Sequence, residues 1–171
     1  MGISNAHRVV VYDVYGLQSA ARAWWMFRVF GHDNVAILNG GLPAWEAHGQ
    51  SVTAEPSVPV ASTFSPTYRP ELIRSVDDVL ANLESKHEQV VDARAAGRFT
   101  GEQPEPRAGM RSGHIPGSVS LPYPKLLTAG QTVLPAAELR SAIDDSGLDL
   151  AGPITASCGS GVTACVIALS A

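Results

Sequence analysis

Ile154-Thr155-Ala156-Ser157-Cys158-Gly159-Ser160-Gly161-Val162-Thr163 is the stretch from which the rest of the chain is read. Its first four residues form a short β-prone run, and the residues from 162 to 171 are small and apolar, as in a helix. Between them lies a turn with two glycines, so Cys158 stands at the end of a strand on the way into a helix. Successive N–H groups in a glycine-permitted turn form an anion-binding nest, and a helix start adds a favourable dipole. A thiol in such a place shifts toward thiolate and becomes a usable nucleophile. A lone cysteine more commonly packs as a small hydrophobe. That description suits Cys165, inside the apolar run, better than Cys158, whose glycine neighbours leave little to pack against. A disulfide between them is disfavoured, since one lies in a loop and the other two turns into a helix.

Outward from this stretch the same strand-to-helix order recurs. Residues 9–12 read as a buried strand ending in Asp13. Residues 18–30 read as a helix with Ala20, Ala23, Trp24, Phe27 and Phe30 on one side and Arg22 opposite, stopped by Gly31. A strand over 35–38, closed by Gly40-Gly41, and a short helix to Gly49 follow. Residues 50–70 carry Pro56, Pro59, Pro66 and Pro70 among Ser and Thr, the composition of an extended linker. The pattern then resumes with a helix over 76–83 capped by Ser75, a strand over 89–92 and a long loop from 97 to 117. A strand over 118–121, a helix over 136–144 and the strand at 154–157 complete a parallel α/β arrangement. Laying 9–12 over 154–157 puts Asp13 on Cys158 and Gly16 on Gly161. Two related units are expected, 1–50 and 75–171, joined by a linker over 51–74. The chain is expected to begin inside the first unit and stop inside the second, with weak stability and weak activity as the consequence.

Composition narrows the function. The 171 residues are 45% hydrophobic and 16% charged, with mean hydropathy +0.07, as in globular proteins. Twelve basic against 16 acidic side chains leave a net charge of −4, with no general attraction for nucleic acid or anionic lipid. No apolar run reaches the roughly 18–20 residues of a membrane span. Two cysteines are too few for a disulfide framework and residues 1–7 carry no signal-peptide core, so a reducing, cytoplasmic location is expected. The histidines at 7, 32, 48, 87 and 114 stand too far apart for a metal site, and no cofactor is expected. A phosphatase loop needs arginine six positions after the cysteine, where Ala164 stands; a CxxC redox site fails because position 161 is glycine.

Cys158-Gly159-Ser160-Gly161-Val162-Thr163 resembles the active-site loop of 3-mercaptopyruvate sulfurtransferases, within the rhodanese superfamily. Asp92-Ala93-Arg94, Gly97-Arg98-Phe99, Glu105-Pro106-Arg107 and Gly113-His114-Ile115-Pro116-Gly117 resemble that family's second domain. Trp24-Trp25-Met26-Phe27 and Gly40-Gly41-Leu42-Pro43-Ala44-Trp45 resemble the rear half of its first, non-catalytic domain. The resemblance implies a rhodanese-like parallel sheet flanked by helices, in tandem domains with both ends truncated. It implies that Cys158 takes sulfur from 3-mercaptopyruvate as a persulfide and passes it to a thiol or cyanide, with thioredoxin among the candidate acceptors. By the same resemblance Arg98 and Arg107 hold the donor carboxylate, a task suited to the two-pronged guanidinium. Ser160 would assist proton transfer, and Gly159, Gly161, Val162 and Thr163 would line the site. Arg94 reads as a structural ion pair, His114 as a turn-packing residue, and Asp13 as the mark of an inert first unit. The thiosulfate branch usually places basic residues after the cysteine; Gly159 and Ser160 stand there instead, which favours mercaptopyruvate. A thiosulfate:cyanide sulfurtransferase and a non-catalytic binding or sulfur-relay module are the alternatives.

Overall fold

The computed structural model describes residues 2–15 and 17–171; Gly16, paired above with Gly161, lies outside them. Two parallel sheets organise the chain. In the first, β1 (Val9–Val11) runs beside β2 (Val35–Ile37), with Val9 opposite Val35 and Val11 opposite Ile37. They are joined through α1 (Gln18–Val29), and α2 (Gly41–Ala47) follows. β1 is not the buried strand its composition predicts: Val10, and Tyr12 just past its end, are more than half exposed, because among the described residues β1 pairs with β2 alone and alternates its side chains between a covered and an open face. α1 likewise buries Ala20, Ala21, Trp24 and Val29, and leaves Phe30 exposed. Gly41 is dictated by close approach: a Cβ there would stand 2.1 Å from the Asp13 carbonyl oxygen.

The second sheet has the order β4–β3–β5, all parallel: β3 is Gln89–Asp92, β4 Val119–Ser120 and β5 Ile154–Ser157. The central place of β3 explains its unbroken apolar pair, since Val90 and Val91 are covered on both faces. α3 (Val76–Ser85) precedes it and starts with a capping box in which Ser75 and Asp78 satisfy each other's backbone N–H. The long loop after β3 contains a helix the sequence pattern does not announce, α4 (Ala96–Thr100); α5 is Ala136–Asp145 and α6 is Ala164–Ser170, beginning two residues later than its apolar run predicts. One core packs Val91, Leu121, Leu126, Ile143, Leu148 and Ile167 beneath this sheet.

Residues 50–69 form no helix or strand, as their prolines require. Their last part is nevertheless fastened to the first sheet's unit. Thr67 and Arg69 donate backbone N–H groups to the carbonyls of Phe30 and Val29, Arg69 grips Asp33 with two bonds of 2.7–2.8 Å, and Phe64 packs edge-on against Phe27. A second core joins the two sheets' units, with Leu17 and Ala21 from the start of α1 packed on Cys165 and Val166 of α6 and on Leu127. Gln18 donates to the Tyr123 hydroxyl at 2.6 Å and Asn39 accepts from the Val133 N–H at 2.9 Å across the same boundary.

Candidate active site

Parallel pairing decides where the chemistry gathers. Asp92 lies opposite Ser157, so the loops leaving β3 and β5 emerge together at the C-terminal edge of the sheet, the edge at which α/β proteins hold ligands. One loop carries Arg94 and Arg98, the other Cys158.

Cys158 is half-buried, and its Sγ accepts the Gly161 N–H at 3.1 Å. Gly161 has φ +75°, a conformation open to glycine and costly for other residues, which turns this N–H back toward the sulfur. Burial alone pushes the thiol pKa up. The Thr163 hydroxyl and the N–H groups of Ser160, Ala164 and Gly161 act against it and prevail, so the thiol ionises below its ordinary value. The anion nest predicted from the glycines thus forms, although its strength comes from discrete donors in the loop and Thr163, because α6 begins only at Ala164. Gly159 and Ser160 are exposed at the rim, and Val162 and Thr163 are half-buried. Cys165 is buried and donates to the Gly161 carbonyl at 3.2 Å; burial pushes its thiol pKa up, with Arg22 opposing.

Arg98, on α4, reaches across to this loop: its Nη2 lies 2.8 Å from where a Cβ on Gly159 would stand. The same nitrogen is 2.5 Å from Oε2 of Glu105, whose Oε1 also accepts from Arg94 Nη1 at 2.7 Å. Arg94 in turn grips the buried Asp92 and donates to the Gly113 carbonyl at 2.7 Å, the structural ion pair read from the sequence. Arg98 holds the Glu105 carboxyl below its ordinary pKa. His114 stacks on Phe99 at 3.8 Å and bonds the Phe99 carbonyl through Nδ1, a packing role. Arg107 differs from Arg98: it sits on an exposed bend, its carbonyl accepting from Met110, and its side chain makes no ion pair among the described residues. Two participants escaped the sequence reading. Glu105 was quoted only as part of a motif, and Arg22, placed on the polar side of a helix in the other unit, donates to the Gly161 carbonyl at 3.4 Å. Neither carries a local periodic signal, because each acts across the tertiary fold.

Asp13, which the sequence overlay sets against Cys158, follows β1, and its carboxylate accepts the N–H groups of Tyr15 and Leu17, both at 3.1 Å, and of Ala20 at 2.9 Å, with the Ser19 hydroxyl at 2.9 Å. The chain's own carboxylate thus fills that nest. Among the described residues no group of three or more His, Cys, Asp or Glu is placed to hold a metal ion.

Similarity to known proteins extends along the chain. Residues 1–48 match the model of the rhodanese-like domain. The chain is 46% identical to thiosulfate/3-mercaptopyruvate sulfurtransferase 2 of Arabidopsis thaliana, over 99% of this chain and 56% of that protein. It is 49% identical to the thiosulfate sulfurtransferase of Rattus norvegicus, over 100% of this chain and 59% of that protein. The chain therefore spans little more than half the length of these curated relatives. Among solved structures it is similar to SseA from Escherichia coli, a 3-mercaptopyruvate sulfotransferase, with a TM-score of 0.85 and 37% identity over 99% of this chain and 63% of that one. With a cysteine loop of this form, parallel sheets flanked by helices and relatives of these kinds, the chain belongs to the rhodanese superfamily.

Proposed function

We propose that the chain moves sulfane sulfur from 3-mercaptopyruvate to a thiol or cyanide acceptor through a persulfide on Cys158. The observation that carries this reading is the Cys158 thiol, lowered in pKa by the Thr163 hydroxyl and three loop N–H groups, with the Arg98 guanidinium against the same loop. The Cys158 thiolate attacks the donor sulfur and forms the S–S bond. The donor's C–S bond breaks, and its electron pair leaves with the three-carbon fragment as the enolate of pyruvate, which takes up the proton the donor thiol gives up. The negative charge then rests on the outer sulfur in the N–H cradle, where preorganised donors stabilise it. An acceptor thiolate attacks that outer sulfur, carries it away and restores the Cys158 thiolate; cyanide does the same and leaves as thiocyanate. Arg98 holds the donor carboxylate, Ser160 stands exposed at the rim where it can reach a donor proton, and Arg107 is proposed to close on the donor from its bend. Thioredoxin, as a dithiol protein, is a candidate acceptor. Both cysteines are free, consistent with the reducing, cytoplasmic location we propose. We also retain the division into units over 1–50 and 75–171.

Thiosulfate is the second donor to consider, since relatives of this chain are named for it. The uncharged Gly159 and Ser160 beside Cys158 offer little to a dianion and support mercaptopyruvate as the better donor. Mass spectrometry after exposure to either donor tests the reading directly. One added sulfur, about 32 Da, should appear on the wild-type chain and on Cys165→Ala, and be absent from Cys158→Ser. A wild-type chain that gains no sulfur from either donor would leave the non-catalytic module as the better account.

A further inference from the structure

The donor reading leaves unexplained why a buried carboxylate sits against the arginine meant to bind another carboxylate. Glu105 is 7% exposed at its side chain, and both its oxygens are spent on arginines. Oε2 takes Arg98 Nη2 at 2.5 Å; Oε1 takes Arg98 Nε at 3.1 Å and Arg94 Nη1 at 2.7 Å. Arg94 is itself fixed by Asp92, 3% exposed at the end of the central strand β3. A continuous chain of charge-assisted bonds therefore runs from the rigid sheet through Arg94 and Glu105 to Arg98. Such bonds are directional as well as strong, and a two-bond pairing sets the plane of the guanidinium.

That plane is what matters at the site. Glu105 occupies the Nε/Nη2 edge of Arg98 and leaves Nη1 without a hydrogen bond among the described residues. Nη1 lies 3.8 Å from the position of a Cβ on Gly159, against the residue that follows Cys158. An unanchored arginine on α4, a helix of five residues, would sample many rotamers and lose that freedom on binding. We propose that Glu105 is a positioning residue for donor binding: it fixes the Arg98 guanidinium over Gly159 so that its remaining edge meets the carboxylate of a small 2-oxo acid donor at the cysteine loop. This rests on the donor reading above. The pairing spends one edge of Arg98 on orientation and keeps the other for recognition. Glu105 touches no reacting atom, so the S–S bond-forming step and the acidity of Cys158 do not depend on it.

The test is a double-mutant cycle on the full chain. Glu105→Gln, nearly the same size, keeps the fold's volume while removing the charge that grips Arg98; Glu105→Asp keeps the charge at a shorter reach. Glu105→Gln should raise the KM for mercaptopyruvate about tenfold and leave kcat within about twofold, the signature of lost binding and intact chemistry. Glu105→Asp should recover part of the loss. In an Arg98→Ala background, Glu105→Gln should change KM by less than about twofold, because the arginine it acts through is gone. Binding of pyruvate, measured as protection of Cys158 against iodoacetamide, should weaken in parallel and needs no turnover. A KM that falls in Glu105→Gln would show that Glu105 competes with the donor, and overturns the proposal. So does an undiminished effect in the Arg98→Ala background, or a kcat loss at constant KM. A wild-type chain that transfers sulfur but shows none of these effects rejects the positioning role alone. One that neither transfers sulfur nor binds pyruvate rejects the donor reading and the positioning role with it.

Discussion

At the scale of single residues, two strand-end positions in one chain gather backbone donors around different acceptors. At Cys158 the loop N–H groups and the Thr163 hydroxyl turn toward a thiol sulfur, whereas at Asp13 three N–H groups and a hydroxyl hold a carboxylate. Thr163→Val removes the hydroxyl that most favours the Cys158 thiolate, so the pH midpoint of Cys158 alkylation by iodoacetamide should move up; an unmoved midpoint would assign the acidity to the N–H groups alone. At Asp13, burial raises the carboxyl pKa but the four donors, with the Ala20 N–H foremost, lower it further, and the net pKa falls below 3.8. A group whose folded pKa is depressed stabilises the fold above its unfolded pKa and loses that contribution as pH falls through the folded value. Asp13→Asn should therefore cost about 1.5–3 kcal/mol at pH 7, and the gap from wild type should narrow below about pH 4, as followed by urea denaturation. A gap that widens on acidification would contradict the assignment.

Among elements, the pairing of α1 with α6 does the most to place the site. Ala21 is fully buried in that contact with Val166 and Cys165, and the neighbouring Arg22 reaches the Gly161 carbonyl. Ala21→Leu has no space to enter without moving a helix, and should destabilise the chain by about 1–3 kcal/mol. Because the displaced helix carries Arg22 away from the loop, Cys158 alkylation kinetics should change along with the loss in thermal stability. If stability drops and the alkylation profile stays as in wild type, the two helices do not transmit position to the loop. The helices also show where local pattern stops short. The capping box at Ser75 is legible because its bonds are three residues apart. α4 is not, since its five residues, with no side-chain cap, are held by contacts from outside: Arg98 to Glu105 and Phe99 against His114.

On the scale of the whole molecule, the shared core of Leu17, Ala21, Leu127, Cys165 and Val166 couples two sheets that do not hydrogen-bond to each other. All three tryptophans, at 24, 25 and 45, lie in the first unit, so their fluorescence reports that unit while far-ultraviolet circular dichroism reports both. The two signals should give coincident urea transitions, as in a single cooperative unit; separated midpoints would show that the core does not couple the units. The strands over 89–92 and 154–157, the proline-rich stretch and the cysteine turn were all decided by the sequence alone. Each rests on interactions among residues a few positions apart: apolar runs, missing N–H donors, and glycines that admit a positive φ. Only the tertiary structure decided that β3 stands between β4 and β5, that residues 64–69 are bound to α1 and its neighbours, and that Glu105 stands between Arg94 and Arg98. It likewise brought Arg98 to Gly159, 61 positions on in the chain, and left Arg107, only nine from Arg98, on an exposed bend. Such pairings carry no short-range signature, because they are made by parallel strand register and burial, which join segments that the linear order keeps apart.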